Sequence, residues 1–122
     1  MTRKGDSGPE QHLPLPPATF HILLSLAGGE RHGYAIMREV AEQTDGGVRL
    51  GPGTLYGALK RLLEGGLVAE GGERADPAMG DERRRYYRLT PFGRAVARAE
   101  ARRLQAMVHA ARKRRLIGEE PA

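Results

Sequence analysis

The side chains that carry most enzyme and metal chemistry are missing from this 122-residue chain or wrongly spaced for it. There is no cysteine, so disulfides, thiolate zinc ligands, thiol nucleophiles and redox sensing are excluded. The four histidines, His12, His21, His32 and His109, are never four residues apart and never part of a His-Glu motif, so no metal site is expected. No glycine-rich loop ends in Lys-Ser or Lys-Thr, and no serine sits in a nucleophile elbow. An enzyme reading therefore has no residues to carry it, and no cofactor is implied. What remains is the chemistry of cations, hydroxyls and helix ends acting on an anionic partner. Arginine supplies 17 of the 20 cations. Its planar fork suits phosphate oxygens and guanine edges better than a lysine point charge does.

Those cations are unevenly placed. Residues 1–82 carry 8 basic and 12 acidic side chains, residues 83–122 carry 12 basic and 3 acidic, and the total is +5. This balance points to an anionic partner, most often nucleic acid, although a solvated basic face has the same composition. The length supports one domain, and 39% apolar residues supply a small core. The longest aliphatic run, Ile22-Leu23-Leu24, falls far short of the roughly 20 residues a membrane helix needs. The basic start Met1-Thr2-Arg3-Lys4 is followed by Gly5-Asp6-Ser7-Gly8-Pro9-Glu10, where a secretory signal would have its apolar core. A cytoplasmic protein without a membrane partner is the expectation.

The elements that must position these groups are legible in periodicity and punctuation. Residues 1–17 are rich in Gly, Pro and charge without a period, and read as a disordered arm. Phe20, Leu23, Leu24 and Ala27 share one face of a first helix, which Gly28-Gly29 ends. A second helix is predicted from about His32 to Thr44, with Tyr34, Met37, Val40 and Ala41 on one face. Pro52 suits the first turn of a third helix, whose Leu55, Leu59 and Leu62 form a buried stripe before Gly65-Gly66. Leu67 to Glu70 and Arg83 to Leu89 read as strands around a long polar loop, Gly71 to Glu82. Thr90 is the N-cap and Pro91 the first residue of a last helix running to about Leu116.

This order makes a mainly α fold with a small β-hairpin: a winged helix-turn-helix over residues 18–89, a long C-terminal helix over 90–117 and a tail over 118–122. The third helix is then free to enter a major groove, and the hairpin flanks it as a wing. A last helix of about 26 residues is roughly 39 Å long, more than a core this small can cover. Its apolar stripe consists of Ala97, Ala101, Leu104, Val108 and Ala111, widened by Val96 and Met107. The same helix of a second subunit is the simplest cover and makes a two-fold dimer. Folding back over the first helix as a monomer is the alternative.

Four blocks carry a family resemblance: His32-Gly33-Tyr34; Gly51-Pro52-Gly53-Thr54-Leu55-Tyr56; Leu59-Lys60-Arg61-Leu62-Leu63-Glu64-Gly65-Gly66-Leu67-Val68; and Arg84-Arg85-Tyr86-Tyr87-Arg88-Leu89-Thr90-Pro91-Phe92-Gly93. Together they resemble the PadR family of transcriptional regulators over about Leu15 to Leu116, and the single last helix is similar to that of the smaller subfamily, where it is the dimerisation element. Gly51 stands where the family commonly has Ser, and Gly57 where Pro is common.

The resemblance implies a dimeric repressor bound to a palindromic operator in double-stranded DNA, with no enzyme activity. Gly53, Thr54 and Tyr56, at the start of the third helix, are the implied phosphate and base-edge contacts, and the free N–H groups there favour phosphate. Thr54 as a helix cap and Tyr56 packed beneath the wing are the alternatives. Lys60 lies four residues beyond Tyr56 and fits a phosphate. Tyr34 can reach the DNA backbone with its phenol while its ring stays in the core, or simply pack there. Strand alternation puts Leu89, Tyr87 and Arg85 on the inner face, so Arg84 faces out near the wing tip and, with Arg83, is the wing contact. Asp76, Asp81 and Glu82 oppose phosphate there. Arg112-Lys113-Arg114-Arg115 suits the helix dipole or DNA. A small aromatic or drug-like effector near the last helices is also implied, with Phe92, Val96, Met107 and the Tyr34 side of the core as its candidate pocket. A winged-helix module for an acidic protein and a non-specific nucleic-acid binder are the rival readings.

Overall fold

Prolines start and glycines stop the helices largely where the sequence places them. In the computed structural model, which describes residues 8–118, the order is α1 (Pro17–Ala27), β1 (Arg31–His32), α2 (Gly33–Gln43), α3 (Pro52–Glu64), β2 (Val68–Ala75), β3 (Arg83–Leu89) and α4 (Pro91–Lys113). Each of α1, α3 and α4 has proline in its first turn, where the missing N–H costs no hydrogen bond. Ile22, Leu23 and Leu26 of α1, Ile36 and Val40 of α2, and Leu55, Ala58, Leu59 and Leu62 of α3 interlock as one core. Full burial of each large aliphatic side chain contributes about 1.5–3 kcal/mol. Leu67, Val68, Tyr87 and Val96 close the core from the sheet and α4.

The sheet holds α4 in place. Thr90 N donates to the Leu67 carbonyl (3.0 Å), and the Thr90 hydroxyl donates to Gly66 O (2.6 Å) while accepting from Gly93 N (2.9 Å). A Cβ on Gly93 would overlap the Leu67 carbonyl, so the Thr-Pro-Phe-Gly block requires glycine where helix meets strand.

Several expectations are corrected by packing that is distant in sequence. The two-stranded hairpin is a three-stranded antiparallel sheet in the order β1-β3-β2, because Arg31 and His32 pair with Tyr87 and Tyr86. The first wing strand does not stop at Glu70. It continues through Gly71-Gly72 as a bulge, Gly72 taking a positive φ of 93°, and pairs again from Glu73↔Arg85 to Ala75↔Arg83. The loop shrinks to residues 76–82, with a 3-10 turn at Pro77–Met79. The last helix ends at Lys113 rather than near Leu116.

The arm expected to be disordered over residues 1–17 is ordered from residue 8. Pro9–His12 forms a 3-10 turn, His12 meets Phe92 edge-on at 5.4 Å, and Leu15 is buried. Residues 1–7 of that arm and 119–122 of the tail lie outside the described residues. Val96 and Ala97, expected on the dimer stripe, are 0% and 8% exposed in the single chain and belong to its own core. The proposed pocket of Phe92, Val96 and Met107 does not form either. Phe92 packs on the N-terminal segment, Val96 is sealed in the core, and Met107 is exposed about three turns further along α4.

Glu100 ties the N-terminal segment to α4. It is 2% exposed, accepts from Leu15 N (3.1 Å), and takes two hydrogen bonds from Arg103, at 2.5 and 3.0 Å. The Arg103 guanidinium holds its carboxyl below the usual range against the opposing effect of desolvation, and the Leu15 amide adds to the lowering. A carboxyl whose pKa is lower folded than unfolded stabilises fully above its unfolded value, about 4.3, and loses that contribution as pH falls through the folded value. Urea unfolding of wild type should therefore weaken on acidification below about pH 4. Glu100→Gln should be less stable at neutral pH and show a shallower acid loss. An identical acid slope in both proteins would contradict this role.

Candidate nucleic-acid interface

The leucine stripe decides which side of α3 meets solvent. With Leu55, Ala58, Leu59 and Leu62 committed to the core, Gly53, Thr54, Tyr56 and Lys60 are left exposed, Tyr56 at 48%. The N-cap of α3 is Gly51, which makes no side-chain cap, so Thr54 is the third helical residue and not the cap. The amides of this first turn thus have no side-chain cap from the N-cap residue, and residues 51–54 are exposed, an arrangement that suits an anion. Nothing lies within 4 Å of a Cβ built on Gly51 or Gly53, and one on Gly57 would make only an ordinary 3.7 Å contact with Arg61. Packing does not require these glycines, and within the helix Gly57 costs about 1 kcal/mol relative to alanine. Their effect is a bare surface that another backbone can approach closely.

Tyr56 is held from behind. Its ring rests on the first residue of α2: a Cβ on Gly33 would overlap the Tyr56 hydroxyl and lie 2.8 Å from Cζ. Tyr56 therefore combines an intramolecular contact with a half-exposed edge. Tyr34 departs from expectation, because its ring is outside the core and 45% exposed. Arg84 departs too. Instead of pointing outward at the wing tip, it lies back toward α2, with its guanidinium 5.8 Å from the centre of the Tyr34 ring and its Nε buried without a hydrogen-bond partner among the described residues. Arg83 is exposed and donates to Glu73 O (2.6 Å).

The wing is electrically balanced. Between Val68 and Leu89 five arginines accompany five carboxylates. Arg85 pairs with Glu70 (3.2 Å) and Glu73 (3.4 Å), Arg84 lies 3.5 Å from Glu82, and Arg74 pairs with Glu30. Asp76, expected only to repel phosphate, has a second task. Its Oδ2 accepts from His32 Nε2 (2.8 Å) and its Oδ1 from Ala78 N (3.0 Å), which together hold its carboxyl below the ordinary range.

Two cations were missed in the sequence. Arg38 and Arg49 line, with Tyr34, Met37, Ala41 and Leu50, a shallow cavity of about 290 Å³ beside the link into α3. Arg38 reads in isolation as an outward-facing helix residue and Arg49 as part of a short connection. Only the packing of α2 against that connection brings them together. No group of three or more His, Asp or Glu suited to a metal ion occurs among the described residues.

A winged helix-turn-helix whose third helix is exposed, glycine-smoothed and flanked by arginines has the architecture of a DNA-binding regulator. The chain matches the Transcriptional regulator PadR-like family over residues 22–99. It is 38% identical over 86 residues to the transcriptional regulator Rv3488 of Mycobacterium tuberculosis, covering 70% of this chain and 73% of that protein. It is 42% identical over 80 residues to a 37.1 kDa protein in transposon TN4556 of Streptomyces fradiae, of which it spans only 21%. In fold it is similar to a PadR family regulator from Clostridium difficile (TM-score 0.67, 24% identity, 80% of this chain and 97% of that one). It is similar also to Bacillus subtilis PadR in complex with operator DNA (TM-score 0.59, 20% identity, 88% and 51%). The chain belongs to the PadR-like family of transcriptional regulators.

The Gly33–Tyr56 contact gives a direct check of this geometry. Gly33→Ala should destabilise the protein by about 2 kcal/mol through overpacking. In a Tyr56→Ala background, where the ring is gone, the same substitution should cost much less. Urea unfolding of the four proteins measures the coupling, and additive effects would contradict the contact.

Proposed function

We propose that this chain is a dimeric, sequence-specific DNA-binding repressor. In this reading α3 lies in the major groove, with Gly53, Thr54 and Tyr56 at base edges and phosphates and Lys60 on the backbone. Tyr34, Arg38 and Arg49 meet the phosphates beside it, and Arg83 is the wing contact. Arg84 supports Tyr34 rather than reaching DNA itself. The observation that carries the reading is the bare, exposed first two turns of α3, where glycine is retained without any packing need. The operator is a palindrome with half-sites about 34–36 Å apart, matching a two-fold dimer. Bound at a promoter, such a dimer excludes polymerase. The protein would act in the cytoplasm, and no helix among the described residues is long and apolar enough to cross a membrane.

The dimer reading rests on apolar surface that the chain does not cover. Leu24 on α1 and Met107 and Val108 on α4 are 44%, 57% and 39% exposed, and Leu104 and Ala111 lie alongside. Ala101 is exposed on the flank of this strip. Val96 and Ala97 support the helix from within. A small aromatic or drug-like effector, in this account, acts at the cavity of about 310 Å³ that Leu15, Phe20, Leu24 and Leu104 line between α1 and α4.

Binding to a promoter-derived duplex should survive scrambled competitor. Lys60→Ala should weaken it on specific and scrambled duplex alike and lower the salt slope by about 1. A steep salt dependence without sequence preference would favour the non-specific reading, and binding only to acidic protein would favour the protein–protein one. Leu104→Glu should convert the dimer to monomer in sedimentation. A variant that stays dimeric would refute the α4 interface.

A further inference from the structure

His32 is a buried histidine that the reading surface does not use. It is 2% exposed, at the junction of β1 and α2, and both ring nitrogens are engaged. Nδ1 accepts from Ala35 N at 3.1 Å and so serves as the N-cap of α2. A nitrogen that accepts carries no proton, so the proton of the neutral ring is on Nε2. Nε2–H then donates to Asp76 Oδ2 at 2.8 Å, across 44 residues of chain. The other oxygen of Asp76 accepts from Ala78 N and caps the 3-10 turn of the wing loop. Tyr86 of β3 packs edge-on against the imidazole at 5.3 Å, and the Arg74 guanidinium covers the Tyr86 ring at 3.5 Å.

We infer that His32 is a positioning residue for DNA binding: through Asp76 it latches the wing turn to the start of α2, and so fixes the wing against the helix-turn-helix. The sheet alone does not fix that position. Between the first pairings of β2 with β3 and the wing tip lies the Gly71-Gly72 bulge, where the register shifts. A ribbon with a glycine bulge pivots there unless its far end is tied. His32–Asp76 is a side-chain tie beyond the bulge from the wing turn to the element that also supports Tyr56. The inference rests on the proposed wing contact for its effect on DNA, but the latch itself is measurable without DNA.

The sharp variant is Asp76→Asn, since His32→Ala removes a buried helix cap and risks unfolding. The substituted amide retains one oxygen for Ala78 N, but either of its orientations fails one partner. If the oxygen faces Ala78, an NH2 faces Nε2–H, donor against donor. The imidazole cannot move its proton to Nδ1 without losing the Ala35 amide. Amide hydrogen exchange at Ala78 and its neighbours in the wing turn should quicken at least about tenfold. Exchange in α3 should quicken no more than in the wing turn, and the protein should still unfold in a single cooperative urea transition. Operator affinity should fall about tenfold in the wild-type background, but no more than about twofold when Arg83→Ala has already removed the wing contact. Unchanged wing exchange in Asp76→Asn overturns the latch. An affinity loss equal in both backgrounds overturns its action through the wing. If the wild-type protein binds no duplex at all, the DNA reading fails, and the exchange result alone decides whether the latch exists.

Discussion

The structure depends on where the apolar side of α3 can go. Leu55, Ala58, Leu59 and Leu62 occupy one face, which is buried in the core with the apolar residues of α1, α2, the sheet and α4. Once that face is buried, the opposite side is fixed by helical geometry, and Gly53, Tyr56 and Lys60 have no choice but solvent. The exposed side of α3, the proposed reading surface, is therefore a consequence of core formation. Its quality is set by residues that core formation leaves free: glycines that no neighbour requires, and a tyrosine whose ring is braced on Gly33.

The wing and α4 contribute Leu67, Val68, Tyr87 and Val96 to this core and are fixed in position on it by close backbone approach. Thr90 and Gly93 lock the start of α4 onto the Leu67 carbonyl, and His32 joins the wing turn to the start of α2. These ties are specific because each needs one residue type. A side chain larger than hydrogen does not fit at Gly93, and a group that accepts on one side and donates on the other is needed at position 32. The family blocks around His32-Gly33-Tyr34 and Thr90-Pro91-Phe92-Gly93 thus have physical reasons that do not involve DNA.

Much of this was legible in the sequence, and the failures share a cause. The helices were readable because their apolar content and their Pro and Gly punctuation are local, but the face expected on α1 was not the buried one: Ile22, Leu23 and Leu26 are buried and Leu24 is exposed. The exposed side of α3 followed from its leucine spacing. The ordered N-terminal segment was not readable, because Leu15 and His12 gain their partners, Glu100 and Phe92, from more than 75 residues away. The bulge at Gly71-Gly72 looked like a loop because glycine weakens a strand signal whether or not the strand resumes. Arg84 was misplaced because alternation gives a face but not a tilt, and its guanidinium folds back toward Tyr34.

Charge is the clearest case. The basic last third of the sequence, residues 83–122, begins on the second wing strand, but the wing's arginines are matched by its carboxylates. The surplus belongs to residues 90–118, with 8 basic side chains and 1 acidic. Composition alone would place an anionic partner on α4, whereas the proposed site is the exposed side of α3. Backbone amide shifts on adding a short operator duplex separate the two most directly. The account predicts the largest changes at Gly53, Thr54, Tyr56 and Lys60, with Arg38 and Arg49 affected and the outer side of α4 at Arg94, Arg98 and Arg102 unmoved. Changes concentrated on those α4 arginines, with α3 silent, would contradict it.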